Sequence, residues 1–153
     1  MKRGGMRIGI ASDHGGFALK SFLVDVLAGW GYQVEDAGVA SDVPVDYPPI
    51  IAALAARVGK GEIPRGIVLC GSGIGASIVA NKIRGVRCAL CHDPLSAELS
   101  RRHNDANMLA LGGRLVGSEM ARRVVEVWLR TEFEGERHLR RIRQIEDLEC
   151  ADG

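Results

Sequence analysis

The chain has 153 residues, enough for one domain of ordinary size with a substantial hydrophobic core. Its formal net charge is +1, which provides no global field for nucleic acid or for an anionic membrane surface. The apolar run near the start, Ile8 to Ala11, is too short for a signal peptide or a membrane span. These observations predict a cytoplasmic protein whose four cysteines are thiols.

Five short apolar runs alternate with helical patterns along the chain. The predicted strands cover residues 7–12, 32–36, 66–70, 86–91 and 108–111. The first helix is predicted from apolar residues with helical spacing at Leu19, Phe22, Leu23, Val26, Leu27 and Trp30. Further helices are predicted over 47–58, from the glycines after residue 70 to about residue 84, after Asp93-Pro94, and over about 118–131 and 136–149. This alternation predicts a three-layer α/β protein with a five-stranded parallel sheet, and residues 1–153 are predicted to be one domain.

One segment of the chain combines a thiol with a glycine-rich turn. An apolar strand ends at Cys70, turns through Gly71, Gly73 and Gly75, and opens a helix. The thiol therefore stands at the carboxyl end of a strand, where ligands bind in open α/β sheets. Backbone N–H groups and the positive end of the helix point at the same place. The pattern indicates chemistry on a small, negatively charged substrate.

Polar residues are concentrated at four points of the predicted fold. The groups are Ser12-Asp13-His14-Gly15-Gly16, Cys70-Gly71-Ser72-Gly73, His103-Asn104-Asp105 and Gly112-Gly113-Arg114. Each group alone has an ordinary structural explanation, because an Asp after a strand often caps a helix and glycines often only permit tight packing. We expect the four groups to share one edge of the sheet, which favours a common site.

In these residues the chain resembles the B-type ribose-5-phosphate isomerases and their relatives, the galactose-6-phosphate isomerase subunits. The matching segments cover nearly the whole chain in order, at residues 12–17, 46–48, 70–75, 80–82, 101–107, 112–114 and 134–138. The resemblance implies a Rossmann-like sandwich whose C-terminal helix is exchanged with a partner subunit. It also implies an aldose–ketose isomerase that interconverts ribose 5-phosphate and ribulose 5-phosphate, with no metal or other cofactor.

The resemblance assigns the proton transfer between C2 and C1 of the sugar to Cys70, acting as the base through an enediolate. The N-terminus of a helix can lower the pKa of such a thiol from about 8.5. Ser72 and the backbone N–H groups of the loop, which contains Gly71, Gly73, Ile74 and Gly75, would hold the enediolate oxygens. Ala76 stands where some relatives carry a glutamate base, so the chain resembles the cysteine type.

The remaining roles implied by the resemblance concern the sugar ring and its hydroxyls. His103 would protonate the ring oxygen during ring opening, a task suited to an imidazole that titrates near neutral pH. Asp13 would accept or relay a hydroxyl proton, and Asn104 and Tyr47 would orient hydroxyl groups.

Two arginines near the C-terminus are candidates for binding the phosphate. Arg137 and Arg141 are four residues apart and share a helix face, and arginine forks suit phosphate oxygens. From the sequence alone, a solvated charged face is the better explanation for them. The resemblance implies that this helix completes the partner's site, while His14 and Arg114 bind phosphate from the home subunit. It thus implies a homodimer, possibly a tetramer, with shared active sites.

Two other motifs suggest different functions. Gly71-x-Gly73-x-x-Ala76 with Asp93 fits a loose dinucleotide fingerprint of an NAD-dependent oxidoreductase, but it follows the third strand and Asp93 is explained as a helix cap. Cys88-x-x-Cys91-His spells a haem-attachment pattern, but strand alternation places the two thiols on opposite faces. For a zinc site, no second ligand pair is suitably spaced.

The length of the sugar is the most open point. One carbon more or fewer changes pocket preference by about 1–3 kcal/mol. Tetrose 4-phosphates and galactose or allose 6-phosphates therefore stay open as substrates, as does a non-catalytic subunit that only binds a sugar phosphate.

Overall fold

The computed structural model describes residues 5–151, which form five strands and six helices. The strands are β1 (Arg7–Ser12), β2 (Gln33–Asp36), β3 (Arg65–Cys70), β4 (Cys88–Leu90) and β5 (Met108–Gly112). The helices are α1 (Phe17–Gly29), α2 (Tyr47–Gly59), α3 (Ile74–Asn81), α4 (Pro94–Asn104), α5 (Ser118–Arg130) and α6 (Arg137–Ala151), with a 3₁₀ turn at His14–Gly16. The prediction of one domain over 1–153 includes residues outside this description and stays a prediction.

All five strands are parallel, in the order β2-β1-β3-β5-β4, which confirms the predicted sheet. The register aligns the carboxyl ends of the three central strands. Ser12 of β1 is opposite Leu69 of β3, and Cys70 is opposite Gly112 of β5. The loops that follow these strands therefore leave the sheet side by side.

Helices cover both faces of the sheet, which makes the predicted three layers. Side chains alternate along each strand, so Ile67 and Leu69 of β3 pack with α1 and α5, while Val68 and Cys70 pack with α2 and α3. The amphipathic stripe predicted for the first helix is confirmed, since Leu19, Leu23 and Leu27 are its buried apolar residues. Parallel strands buried in this way need apolar side chains on both faces.

The fourth strand differs from its prediction. It was expected over 86–91 as a buried strand, but it covers only Cys88–Leu90 and lies half-exposed at the edge of the sheet. The side chain of Asn81 forms two hydrogen bonds with the backbone of this strand. Cys88 N–H donates to Asn81 Oδ1 at 2.8 Å, and Asn81 Nδ2 donates to Cys88 O at 3.0 Å. A side chain that fills these positions also keeps another strand from pairing there.

Two predictions from composition can be compared with the structure. All four cysteines are free thiols, as predicted. Among residues 5–151, no helix combines the length and the apolar character needed to cross a bilayer.

Candidate active site

A cavity of about 420 Å³ lies at the carboxyl edge of the sheet, where β1, β3 and β5 end. We call it the carboxyl-edge cavity. Its lining includes most of the predicted catalytic loop and residues from three other segments. The lining residues are Asp13, Tyr47, Cys70, Gly71, Ser72, Gly75, Arg114 and Leu115. Three of the four predicted polar groups therefore contribute to one site.

Main-chain hydrogen bonds hold the walls of the cavity together. Gly113 N–H donates to Cys70 O at 2.8 Å, and Arg114 N–H donates to Gly71 O at 2.9 Å. On the other side, Asp13 N–H donates to Leu69 O at 3.3 Å. Each loop is thus fixed by its neighbour through backbone groups.

Two glycines of the loop are required by geometry. Gly73 caps α3 with φ +77, a left-handed conformation, and a Cβ there would lie 2.7 Å from the carbonyl carbon of Leu111. A Cβ at Gly75 would lie 2.4 Å from Tyr47 Oη, so the absence of a side chain lets the phenol approach the loop. The glycines predicted as an anion cradle therefore also set the shape of the cavity.

Cys70 is 5% exposed and its Sγ accepts the N–H of Gly73 at 3.2 Å. Ser72 Oγ accepts the N–H of Ile74 at 3.3 Å, and Asp13 Oδ1 accepts the N–H of Gly16 at 3.2 Å. These contacts fix a thiol, a hydroxyl and a carboxylate around one small space. Such a set can remove a proton from a bound molecule and relay another between its hydroxyl oxygens.

Cationic groups near the cavity come from the loops after β1 and β5. The guanidinium of Arg114 packs on Gly71, with Nη1 3.3 Å from the place a Cβ would take. His14 Nδ1 accepts the backbone N–H of Val45 at 3.2 Å, which leaves Nε2 as the nitrogen that carries the ring proton. Both residues can therefore offer N–H donors to an anion at this edge.

His103 and Asn104 do not join the carboxyl-edge cavity, and the prediction that all four polar groups share one edge is wrong. Both residues end α4, and a helix of a parallel sheet ends beside the start of the next strand. Three residues after Asn104, the main-chain carbonyl oxygen of Asn107 accepts the N–H of Gly66 at 3.0 Å, at the beginning of β3. Cys70 ends the same strand, so about 13 Å of β3 separates the two regions.

Four charged or titratable side chains gather at that opposite edge, from α4, the loop before α6, and α6. We call Arg102, His103, Glu134 and His138 the α4–α6 cluster. The rings of His103 and His138 are stacked, with centroids 4.4 Å apart and planes inclined by 14°. Glu134 Oε2 lies 3.3 Å from His138 Nε2, while Glu134 Oε1 accepts the guanidinium of Arg102 at 2.5 Å. The Arg102 hydrogen bond holds the pKa of the Glu134 carboxyl below its ordinary value.

The same cluster offers three possible metal ligands. One ligand atom each from His103, Glu134 and His138 lie within 4.8 Å of one another. A bound metal lies in the plane of an imidazole ligand, and two stacked rings cannot direct their lone pairs at one ion without rotating. The geometry therefore suits a ring stack better than a metal centre.

The predicted phosphate-binding arginines of α6 lie apart from both regions. Arg137 and Arg141, with Arg140 and Gln144, line a cleft of about 230 Å³. Another cavity, of about 780 Å³, lies between α6 and the residues around β4, and Asn104 is among its lining residues. Its wall also contains the apolar side chains of Ile145 and Leu148, together with Cys88 and Glu149.

The structure also bears on the two alternative motifs. Asp93 is a helix cap, as expected, since its Oδ1 accepts the N–H of Ser96 at 2.7 Å, and this bond lowers the pKa of the Asp93 carboxyl. Cys88 and Cys91 belong to the two opposite apolar clusters, as strand alternation predicts. Burial raises the pKa of the Cys88 thiol to about 12 and also raises the pKa of Cys91. Neither motif forms a site of its own.

Sequence reasoning missed the roles of Leu115, Glu134 and His138. Leu115 lines the carboxyl-edge cavity directly after Arg114. Glu134 and His138 lie in a segment that carries the family resemblance, and their spacing of four residues would bring them together on a helix turn. Only the packing of α6 against α4 places them beside His103.

The fold and the carboxyl-edge cavity define a doubly wound α/β protein with a thiol, a hydroxyl and a carboxylate gathered at the carboxyl edge of its sheet. A family model described as Ribose/Galactose Isomerase matches residues 8–145. The chain belongs to this family.

Curated relatives carry the same length of sequence. Ribose-5-phosphate isomerase B of Escherichia coli is 44% identical over 143 residues, which cover 94% of this chain and 96% of the relative. D-erythrulose-4-phosphate isomerase of Pectobacterium atrosepticum is 41% identical over 132 residues, covering 85% and 86%.

Solved structures agree with the fold. Ribose-5-phosphate isomerase B of Clostridium thermocellum has a TM-score of 0.95 and 47% identity, and the match covers 97% of this chain and 100% of that one. Ribose-5-phosphate isomerase B of Mycoplasma genitalium with bound ribulose-5-phosphate has a TM-score of 0.90 and 38% identity, covering 94% and 96%. The match to these structures confirms the Rossmann-like sandwich.

Proposed function

We propose that the protein is an aldose–ketose isomerase that interconverts ribose 5-phosphate and ribulose 5-phosphate. The observation that carries the proposal is the carboxyl-edge cavity, in which Cys70 faces Asp13 and Arg114 across a glycine loop. Relatives of nearly the same length, named ribose-5-phosphate isomerase B, support the choice of a five-carbon sugar. A bound ribulose-5-phosphate in one related structure supports it further.

In the proposed mechanism, Cys70 as thiolate takes the proton from C2 of the open-chain aldose. The electrons of the broken C–H bond form the enediolate, and the charge moves to the former carbonyl oxygen. The thiol then returns a proton to C1, while Asp13 relays the hydroxyl proton from O2 to O1. The cavity supplies the close approach of these groups, and the polar groups of the loop at Ser72 stabilise the oxyanion.

The phosphate binds, in this proposal, to the cations around the cavity. Arg114 and His14 offer N–H groups from the same subunit, and Tyr47 orients a hydroxyl of the sugar. Arg137 and Arg141 contribute from a partner subunit, because their cleft lies apart from the cavity in one chain. Arginine pairs on one helix face suit the three oxygens of a phosphate.

We infer a homodimer with two shared sites, in which α6 stays packed on α4 of its own chain and both reach into the partner's site, so that His103 and Asn104 serve the partner's Cys70. The separation of about 13 Å along β3 supports this, since an acid that protonates the ring oxygen must lie within hydrogen-bond reach of the same sugar. Exposed apolar side chains surround the loop end of β4, as expected for a subunit interface. They are Ile74, Ile78, Leu90 and Leu95. Pairing of two such dimers into a tetramer is the larger assembly we expect.

The cytoplasm is the compartment we propose. Four free thiols and no disulfide among four cysteines support a reducing environment.

A second substrate, D-erythrulose 4-phosphate, is favoured by the relative that is 41% identical and carries its name. The decisive experiment measures rates of the purified chain with tetrose 4-phosphate, ribose 5-phosphate and 6-phosphates of galactose and allose. We expect ribose 5-phosphate to give the highest kcat/KM. A higher value for a tetrose phosphate would reassign the substrate, and no turnover of any of them would favour a subunit that only binds.

A further inference from the structure

His103 lies in the last turn of α4, where little of the main chain constrains its side chain. Its ring is half-buried, and one face is covered by the ring of His138 at 4.4 Å. An acid that must reach one oxygen of a sugar needs a fixed ring, because an error of about 1 Å in position can reduce a rate 100-fold. The His103 ring therefore depends on its neighbour for its orientation.

His138 is itself well fixed. It is 6% exposed, and its main-chain N–H donates to Gly135 O at 3.2 Å at the start of α6. Its buried Nε2 has no hydrogen-bond partner, although Glu134 Oε2 lies 3.3 Å away outside hydrogen-bond geometry. A buried ring nitrogen without a hydrogen-bond partner lowers the stability of the fold. The contact with the ionised carboxylate of Glu134 offsets part of this cost.

Glu134 is anchored in turn to α4. Its main-chain N–H donates to Arg102 O at 3.1 Å, and its carboxylate accepts the Arg102 guanidinium. Arg102 also binds Glu98 at 3.0 Å, but no contact joins Glu98 to either imidazole. The order of contacts is therefore Arg102 to Glu134 to His138 to His103.

We propose that His138 and Glu134 are positioning residues for His103, holding its ring as the acid of the ring-opening step. This inference rests on the proposed isomerase function. His138 supplies the stacking surface, and Glu134 fixes His138 against it.

The test compares His138→Ala with His138→Phe, which keeps an aromatic ring for stacking. We expect His138→Ala to lower kcat for ribose 5-phosphate about tenfold with KM changed less than about twofold, and His138→Phe to restore most of the loss. The second readout is the kinetic isotope effect with deuterium at C2. If ring opening has become rate-limiting, the isotope effect in His138→Ala falls to near 1, whereas general damage to the proton-transfer step leaves it clearly above 1.

The two glutamates bound to Arg102 provide a matched pair. Glu134→Ala should lower kcat about threefold or more, and Glu98→Ala should leave it within about twofold of wild type. An unchanged kcat in His138→Ala, an isotope effect that stays above 1, or equal losses in the two glutamate variants would overturn the proposal.

A readout without substrate separates this inference from the function it rests on. The ring protons of His103, assigned by comparison with His103→Asn, should shift in NMR spectra of His138→Ala, because the ring current of His138 is lost. If those signals do not move, the stack does not exist in solution. Failure of the wild-type protein to convert ribose 5-phosphate would instead reject the proposed function while this measurement still decides the stack.

Discussion

The carboxyl-edge cavity and the α4–α6 cluster are held together by different kinds of contact. Main-chain hydrogen bonds and glycines shape the cavity, and its central thiol accepts a backbone N–H. Side-chain ion pairs and one ring stack form the cluster, and its carboxylate is partly exposed. A backbone frame fixes atoms closely and accepts few substitutions, whereas a side-chain frame can be weakened one contact at a time. We therefore expect near-complete loss of activity when Cys70 or His103 is removed, and graded losses at the cluster residues that surround His103.

The largest effect should follow the removal of the thiol from the cavity. We expect Cys70→Ala to lower kcat/KM for ribose 5-phosphate about 10³-fold, because positioned acid–base groups typically contribute 10²–10⁴-fold. Steady-state kinetics measure the loss. The matched control is Cys150→Ala, an exposed thiol near the end of α6, which should keep full activity. Retention of more than about a tenth of the activity in Cys70→Ala would remove Cys70 from its proposed role.

The next prediction tests whether the carboxyl-edge cavity and His103 of the α4–α6 cluster form one active site only across the subunit interface. Cys70→Ala and His103→Ala should each be nearly inactive alone. After unfolding and refolding as an equal mixture, half of the dimers pair one variant with the other, and each such pair has one intact site. We expect about a quarter of the wild-type activity per chain from this counting.

If the activity of the refolded mixture does not rise above that of the better single variant, the two subunits do not share an active site. In that case His103 and Cys70 of one chain would have to serve one substrate, against the length of β3 between them. Light scattering on the mixture checks that dimers have re-formed.

The position of His103 also marks how far sequence reasoning reaches. The periodic stripe of Leu19, Leu23 and Leu27 and the apolar run ending at Cys70 predict their elements, because burial alone sets those periods. The motif that contains His103 identifies a chemical group but does not by itself say at which edge of the sheet that group lies. The position of His103 at the end of a helix, just before the next strand, is what indicates the opposite edge.

The contacts of the α4–α6 cluster could not be predicted, because they depend on how α6 packs. Glu134 and His138 are far from His103 along the chain, and no periodicity links them. The short β4 differs from its prediction in a related way, since the side chain of Asn81 bonds the free edge of the strand at Cys88. Neither set of polar side-chain contacts leaves a periodic signal in the sequence.

A smaller effect, on stability, tests the backbone frame of the cavity. Gly73→Ala should lower the free energy of unfolding by about 1–3 kcal/mol, because φ is +77 and the new Cβ would lie 2.7 Å from the Leu111 carbonyl carbon. Urea unfolding followed by circular dichroism measures the change.

The control for this glycine is Gly117→Ala. Gly117 has φ −69, and a Cβ there meets nothing within 4 Å, so the variant should unfold within about 0.5 kcal/mol of wild type. Equal stability of the two variants would mean that the loop relaxes freely and that the cavity is not held as tightly as its contacts indicate.

The smallest effect is expected at Cys88, which begins β4 near the amino edge, in contrast to Cys70 at the carboxyl end of β3. Burial, with a smaller contribution from the nearby Cys91, raises the pKa of Cys88 to about 12. At pH 8 only about one Cys88 side chain in 10⁴ is then a thiolate, the form that iodoacetamide alkylates.

Mass spectrometry after alkylation at pH 8 should find Cys150 modified, Cys70 modified through its cavity with loss of activity, and Cys88 unmodified. Because the thiolate fraction rises tenfold per pH unit below the pKa, labelling of Cys88 should increase toward pH 10, and unfolding in urea should expose it at pH 8. Labelling of folded Cys88 as fast as Cys150 would show that β4 opens readily, and the edge strand beside the predicted interface would then be the least stable part of the sheet.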